Sequence, residues 1–263
     1  RYFNEVYSML GVLLTDEDIM GESRYQDLLP EVIERLRDAG ILEESEGADV
    51  VFPGGWVNRD GEPLPMIIRK ADGGYNYSTS DLACIIDRVE RLRCDGLLYV
   101  VGTPQKQHFE MVFQVAKKAG FMSDDHQAIH VNFGSVLDTD GKVLKSREGD
   151  VIKLHDLLEE AIRRAEQTID EKNPNLQAQE RYEAARAVGI GAIKYADLST
   201  ERTKDYVFDW ERMLSFEGNT APYLQYAHAR ICSIFRKWGG DRESLRENFG
   251  SLMEEESSAP TKE

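Results

Sequence analysis

Cysteine is scarce in this chain: Cys84, Cys94 and Cys232 are the three among 263 residues. They form no C-x-x-C pair and no zinc-ligand spacing, so a dithiol redox centre and a structural zinc module are excluded. Reduced, structural thiols in a cytoplasmic protein are expected. Long apolar runs are missing too. None approaches the roughly 20 residues that a membrane-spanning helix needs, so no membrane segment is expected. Positive charge is in deficit, with 32 lysines and arginines against 48 acids and a net charge of −16. That balance opposes nucleic-acid binding by the whole surface, because phosphates need positive charge close by. Any such contact must use restricted basic patches, and its affinity should fall steeply with salt. The candidates are Lys142–Arg147 and the stretch from Arg230 to Arg236 and Lys237. No internal repeat and no signal peptide are visible. The chain begins at Arg1, so a longer natural chain is expected.

What is present describes an ordinary globular protein: 41% hydrophobic and 30% charged residues, in a length sufficient for one large or two modest domains. Residues 1–40 read as helix-rich, with Tyr2, Val6, Met9 and Leu10 at helical spacing, then Leu28, Val32, Leu36 and Ile41. Gly40 is the expected cap of the second helix. Val50–Phe52 and Met66–Arg69 read as short strands. Asp81–Leu92 is expected to be a helix, and Leu97–Val101 a continuous apolar strand buried in a parallel sheet. Gly102–Pro104 is then the turn, Gln107–Gly120 a helix, and Ala128–Leu137 a second strand. Strand, helix, strand with a short turn after each strand is the order of a nucleotide-binding α/β fold. Its ligands lie beyond the carboxyl ends of the strands, so Gly102–His108 and Asp138–Gly149 are expected to line one crevice. After Val151 the pattern is helical, over 151–171, 176–200 and 221–238. The acidic tail Glu254–Glu263 is expected to be disordered.

Several residues could carry chemistry. The basic turn Lys142, Lys145, Ser146 and Arg147 is flanked by Gly141 and Gly149. It precedes a helix expected near Asp150. Such a loop can close over a polyphosphate and neutralise charge as pyrophosphate departs; it can equally be a solvated surface turn. Glu22 reads as a helix-start acid. Tyr77 and Asp81 are four apart, which puts both on one helix face, although Thr79 or Ser80 as an ordinary cap explains the segment as well. Gln105 and His108 fall at the turn after the apolar strand. His126, His130, His155 and His228 give no metal-ligand spacing with His108, and no metal site is expected. Two carboxylates and a phenol can receive a planar cation with five N–H donors.

In order along the chain come Gly21-Glu22-Ser23, then Tyr77 to Asp81-Leu82-Ala83, then Gly102, Gln105 and His108-Phe109. His130-Val131-Asn132-Phe133-Gly134, Lys145-Ser146-Arg147-Glu148-Gly149 and the long run Trp210 to Arg230 follow. This ordered set resembles arginyl-tRNA synthetase, a class I aminoacyl-tRNA synthetase, over residues 1 to 238. The resemblance implies an α/β fold. Residues 1–150 would be the second half of a Rossmann-like catalytic domain, 151–213 a helical connection, and 214–263 the start of an all-α anticodon-binding helix bundle. It implies ATP-dependent activation of L-arginine to arginyl-adenylate and transfer to the terminal adenosine of arginine tRNA. ATP enters as substrate with Mg2+, with no tightly bound cofactor, in a cytoplasmic monomer.

The roles follow residue by residue from the resemblance. Glu22 and Asp81 would pair with the substrate guanidinium, Tyr77 would pack on it or hydrogen-bond to it, and Gln105 would contact the bound arginine. His108 would lie on the nucleotide side. Lys142, Lys145, Ser146 and Arg147 would stand for the K-M-S-K-S loop, with either Lys145 or Arg147 as the main pyrophosphate ligand. Tyr223, Gln225, Tyr226, His228 and Arg230 would open the tRNA-binding bundle. The H-I-G-H motif of class I enzymes is absent from residues 1–263. The chain is therefore expected to be an internal or truncated portion, inactive by itself. A non-catalytic, RNA-binding paralogue that keeps the fold is the alternative. A class I synthetase for another amino acid is disfavoured by the acids at 22 and 81.

Overall fold

The computed structural model describes residues 2–144 and 153–238. Lys145, Ser146, Arg147, Asp150 and the acidic tail lie outside them. The chain divides into two compact units. One comprises Val12–Leu137 and Glu201–Val207; the other comprises the described parts of Arg1–Gly11, Asp138–Thr200 and Phe208–Glu263. No single cut of the chain separates them.

The first unit is α/β. Helix α2 (Leu29–Asp38) starts with Pro30 in its first turn and buries Leu29, Val32, Ile33 and Leu36. Its end is a Schellman closure: Gly40 N–H reaches Arg37 O at 2.9 Å and Ile41 N–H reaches Leu36 O at 3.2 Å. Gly40 takes φ +68°, a conformation that costs glycine nothing. Strands β1 (Glu43–Ser45), β2 (Ala48–Val51) and β3 (Met66–Arg69) form an antiparallel sheet in that order. Helix α3 (Tyr77–Ile86) follows and runs into a π-helical turn over Asp87–Arg91. Strand β4 (Gly96–Gly102), helix α4 (Lys106–Lys118) and strand β5 (Gln127–Phe133) complete a βαβ unit. The two strands pair in parallel from Gly96↔Gln127 to Gly102↔Phe133. The core joins Val32, Leu36, Ile68, Leu82, Ile85, Leu97, Tyr99, Val112, Val115 and Phe121.

Three expectations need correction. Helix α3 starts four residues before Asp81, because Asn76, and not Thr79 or Ser80, caps it: its side chain accepts Tyr77 N–H at 2.9 Å. Strand β4 is not buried on both faces. Leu97 and Tyr99 are buried, but Leu98 and Val100 are 63% and 65% exposed, since α3 and α4 pack on one face only. The expected strand 128–137 is broken at Gly134, beyond which β6 (Val136–Leu137) pairs in parallel with β7 (Tyr206–Val207). A Cβ on Gly134 would collide with the backbone of Lys204. Gly134 N–H instead reaches Arg202 O at 2.9 Å, and Ser135 N–H reaches Asp205 Oδ1 at 2.6 Å.

The second unit is helical. Helix α5 (Leu154–Lys172) begins later than the expected Asp150 and packs along α6 (Ala178–Leu198). Gly189 brings the two backbones together: a Cβ there would lie 2.6 Å from Ala161 C. Helix α1 (Tyr2–Leu10) contacts both. Its carbonyl end is met by two cations of α6, Arg186 on Ser8 O at 3.4 Å and Lys194 on Leu10 O at 2.8 Å. These positions favour cations, since the last carbonyls of a helix have no partner within it. The short helix α7 (Trp210–Met213) is capped by Asp209, and α8 (Ala221–Trp238) leans on α6. No helix among the described residues is long and apolar enough to cross a membrane.

Candidate functional site

The start of α3 is fastened to the end of β3. Thr79, fully buried, donates its hydroxyl to Ile68 O; Asn76 N–H reaches the same carbonyl at 3.2 Å, and Asn76 Nδ2 reaches Ile67 O at 3.4 Å. This anchor fixes the first turn, which carries Tyr77 and, one turn on, Asp81. The βαβ crossover brings the start of α4 alongside. His108 Nε2 lies 2.6 Å from Asp81 Oδ2. The Tyr77 ring meets the His108 ring edge-on, with centroids 4.7 Å apart. Phe109 packs against His108 at 5.1 Å and against His130 at 5.3 Å. His130 Nε2 lies 2.9 Å from Val101 O, so that nitrogen carries the proton. Tyr77, Asp81 and His108 thus form one cluster: an anion, an imidazole and an exposed phenol ring.

Beneath it, the Arg88 guanidinium stacks 4.7 Å over the Tyr99 ring. Burial pushes the Tyr99 phenol and the Cys84 thiol above their ordinary ranges, so both stay neutral at physiological pH. All three cysteines are free.

Among the described residues no hydrogen bond or ion pair joins Glu22 or Gln105 to this cluster. Glu22 opens a short 3-10 segment, Glu22–Leu28, and is exposed with no side-chain partner among the described residues. Gln105 ends the 3-10 turn Thr103–Gln105, also exposed. Two residues not anticipated tie that turn to β5: Thr103 Oγ1 donates to Phe133 O at 2.9 Å and accepts from Asn132 Nδ2 at 3.1 Å. Thr103 stands just beyond the end of β4 and Asn132 one residue before the end of β5, and that position is the one signal that could have marked them.

In the helical unit, Lys142 is exposed on a tight turn. Asp138 Oδ1 accepts the N–H groups of Asp140 and Lys142, both at 2.9 Å, and Gly141 takes φ +76°. Leu144 lines a cleft of about 500 Å³ with Leu157, Glu160, Arg164, Phe208 and Trp210. There Arg163 and Arg164 grip Glu160 at 2.6–2.7 Å and hold its carboxyl at about 2. On α8, Tyr223, Tyr226, His228 and Arg230 are exposed. Gln225 instead donates to Ala187 O at 2.9 Å and joins α8 to α6. Among the described residues one group has metal-ligand spacing, His155, Asp156 and Glu159. His155 and Asp156 sit in the first turn of α5 and Glu159 in the second, at the end where the helix dipole opposes a cation.

Known proteins were compared with this chain. Residues 1–210 match the family described as tRNA synthetases class I (R), catalytic domain. The arginine–tRNA ligase of Erwinia tasmaniensis is 50% identical over 240 residues, covering 91% of this chain and 42% of that protein. The arginine–tRNA ligase of Azotobacter vinelandii is 52% identical over 241 residues, covering 92% and 42%. The crystal structure of arginyl-tRNA synthetase from Plasmodium falciparum superposes with a TM-score of 0.72 at 30% identity, over 90% of this chain and 38% of that one. That of Thermus thermophilus gives 0.69 at 26% identity, over 84% and 41%. The chain thus spans about two fifths of the length of these curated relatives. With its α/β unit and the match over 1–210, the chain belongs to the class I (R) tRNA synthetases, through their catalytic domain.

Proposed function

We propose that this chain is part of an arginine–tRNA ligase that activates L-arginine with ATP and transfers it to the terminal adenosine of arginine tRNA. The observation that carries the reading is the Tyr77, Asp81 and His108 cluster: a carboxylate beside an exposed aromatic ring suits a planar cation. Asp81 and Glu22 supply negative charge for the guanidinium, Tyr77 a surface for its plane, and Gln105 an amide for the amino acid's polar groups. The arginine carboxylate attacks the α-phosphate of ATP; an O–P bond forms, the bond to pyrophosphate breaks, and arginyl-adenylate results. A terminal hydroxyl of the tRNA then attacks the activated carbonyl and AMP leaves. Lys142, with Lys145, Ser146 and Arg147 outside the described residues, stabilises the charge that builds on the departing pyrophosphate. Mg2+ accompanies the ATP phosphates, and no protein ligand is assigned to it.

Helix α8 is proposed as the opening of the anticodon-binding bundle, with Tyr223, Tyr226, His228 and Arg230 facing RNA and Gln225 fixing the helix in place. The net charge of −16 confines tRNA contact to such local patches. A cytoplasmic monomer fits this reading. No segment of 1–263 carries H-I-G-H, so the 263-residue chain alone is expected to show no arginine-dependent ATP–pyrophosphate exchange.

The test is charging of total tRNA by the longest natural chain that contains this segment, one amino acid at a time. Charging with arginine alone supports the ligase; charging with another amino acid means that Asp81 has been misread; no charging supports a non-catalytic paralogue. In the same chain, Asp81→Asn is expected to lower kcat/KM for arginine by about 2–4 kcal/mol. Citrulline, isosteric but neutral, leaves the carboxylates unpaired and is expected to be rejected. An unchanged kcat/KM in Asp81→Asn removes that residue from the role.

A further inference from the structure

We propose that Arg202 is a nucleotide-binding residue that meets the phosphates of ATP at the carboxyl ends of β4 and β5. The inference rests on the ligase reading above and deepens it.

The segment Glu201–Val207 belongs to the α/β unit, although it follows the rest of that unit only after the long helices α5 and α6. It is stitched to the end of β5 by its main chain. Gly134 N–H reaches Arg202 O at 2.9 Å, Ser135 N–H reaches Asp205 Oδ1 at 2.6 Å, and Tyr206 N–H reaches Ser135 O at 3.1 Å, where the parallel pairing of β6 with β7 begins. Gly134 permits this approach, since a Cβ there would stand 2.3 Å from Lys204 O. The main chain of Arg202 is therefore placed without help from its side chain. The guanidinium makes a separate contact: Nη1 donates to Asn132 O. Asn132 Nδ2 in turn donates to Thr103 Oγ1 at 3.1 Å, and Thr103 donates to Phe133 O at 2.9 Å. Thr103, Asn132 and Arg202 thus form one polar rim at the last residue pair of the parallel strands, Gly102↔Phe133. Parallel α/β sheets receive their ligands at that end.

The charge on this rim is positive. A guanidinium carries five N–H donors and stays charged at any physiological pH. Arg202 is exposed, and among the described residues its side chain has the Asn132 carbonyl as its one hydrogen-bond partner and no carboxylate. The acids of its own segment are engaged elsewhere. Glu201 pairs with Lys204 at 2.5 Å and accepts the Thr203 hydroxyl at 3.1 Å, while Asp205 accepts the Ser135 N–H. In a chain of net charge −16, a cation placed at the strand ends without a counter-ion suits an anionic ligand. Helix α4 begins just beyond Thr103, and its amino-terminal dipole favours negative charge at the same rim. The two sides of the reaction then divide by charge. The carboxylate of Asp81 suits the substrate guanidinium, and the rim suits the phosphates. Activation brings the arginine carboxylate onto the α-phosphate, two anions whose approach a nearby cation eases. A tie serving only to hold the segment to β5 would need a donor for Asn132 O but no charge.

The experiment uses the longest natural chain containing residues 1–263. KM for ATP and for arginine are measured by pyrophosphate exchange. Adenosine, which has the base and ribose but no phosphate, is titrated as a competitor of ATP. In Arg202→Gln, whose amide can still donate to Asn132 O, KM for ATP is expected to rise about tenfold, with KM for arginine within about twofold of wild type and adenosine inhibition unchanged. A purely structural role would weaken ATP and adenosine together. A KM for ATP within about twofold of wild type, or equal losses for ATP and adenosine, overturns the role of Arg202. If that variant does not fold, Arg202→Lys decides, since it keeps the charge and loses the fork. There KM for ATP is expected to rise about threefold with adenosine inhibition unchanged, and no rise or an equal loss for adenosine overturns the role. A chain that charges arginine but shows no ATP-specific loss in the variants refutes Arg202 alone; one that charges no arginine removes the ligase reading as well.

Discussion

Replacing Gly189 by alanine puts a methyl group where the α5 backbone already lies. The added Cβ would stand 2.6 Å from Ala161 C and 2.7 Å from both Ala161 O and Ile162 N. Backbone atoms cannot rotate aside, so the helices must separate by several tenths of an ångström. That loosens a seam built from Leu158, Ala161, Ile162 and Ala165 on α5 and Ala185, Ile190 and Ile193 on α6. Overpacking of this kind costs about 3 kcal/mol at the upper end. Alanine returns about 1 kcal/mol through its better helix propensity. The net expectation is a loss of about 2 kcal/mol, a fall in Tm of about 4–8 °C. Gly191, two residues on, is the control. A Cβ there meets Gln225 Nε2 at 2.6 Å, the free end of a side chain. Gln225 can swing away, losing its bond to Ala187 O at about 1 kcal/mol, which the helix propensity offsets. Gly191→Ala is therefore expected to be nearly neutral. Urea or thermal unfolding of the two variants decides the matter. Equal damage at both positions, or a Gly189→Ala chain as stable as wild type, refutes the reasoning.

Two further outcomes are expected. Glu160 is gripped by Arg163 and Arg164, and their hydrogen bonds hold its carboxyl at about 2, below the ordinary 4.5. A depressed carboxylate contributes stability that is complete above the unfolded value and lost as pH falls through the folded one. The stability gap between wild type and Glu160→Gln should thus close between pH 4.5 and about 2; a gap that stays constant over acid unfolding curves would show that the ion pair adds nothing. Thr79→Val removes a buried donor, but Ile68 O keeps the Asn76 N–H, so the stability loss should stay near about 1 kcal/mol. Because that bond anchors the first turn of α3, KM for arginine should rise while kcat holds; an equal fall in kcat would place the effect elsewhere.

The sequence made some elements plain and hid others for identifiable reasons. The βαβ unit was legible because an apolar run, a helical period and Gly120 follow one another without ambiguity. Strand β1, Glu43–Ser45, was missed: it has no apolar alternation to betray it. Its signal lay in the turn, where Glu46 and Gly47 take φ +51° and +77°, the two positive values that a tight hairpin needs. The break at Gly134 depends on Lys204 and Asp205, and no local pattern announces a partner so far along the chain. At the site, Tyr77 and Asp81 were readable from their spacing of four. The pairing of Asp81 with His108 was not, since it depends on how α4 returns against α3. Thr79 was readable as a cap, and the fold gave the cap to Asn76 and turned Thr79 inward to β3.

The grouping of α1 with α5 and α6 has a consequence for synthesis. Lys194 lies 184 residues after Leu10, the carbonyl that it closes. At ribosomal speeds of about 5–20 residues per second, the last carbonyl of α1 waits roughly 10–40 s before Lys194 has been made. A nine-residue helix is marginal alone in water, so Tyr2–Leu10 spends that interval as nascent chain with Val6, which the folded unit buries, uncovered. The α/β unit, whose core closes by residue 137, can fold meanwhile. Helix α1 is then among the last pieces of the helical unit to be seated, and the one most dependent on whatever shields a growing polypeptide.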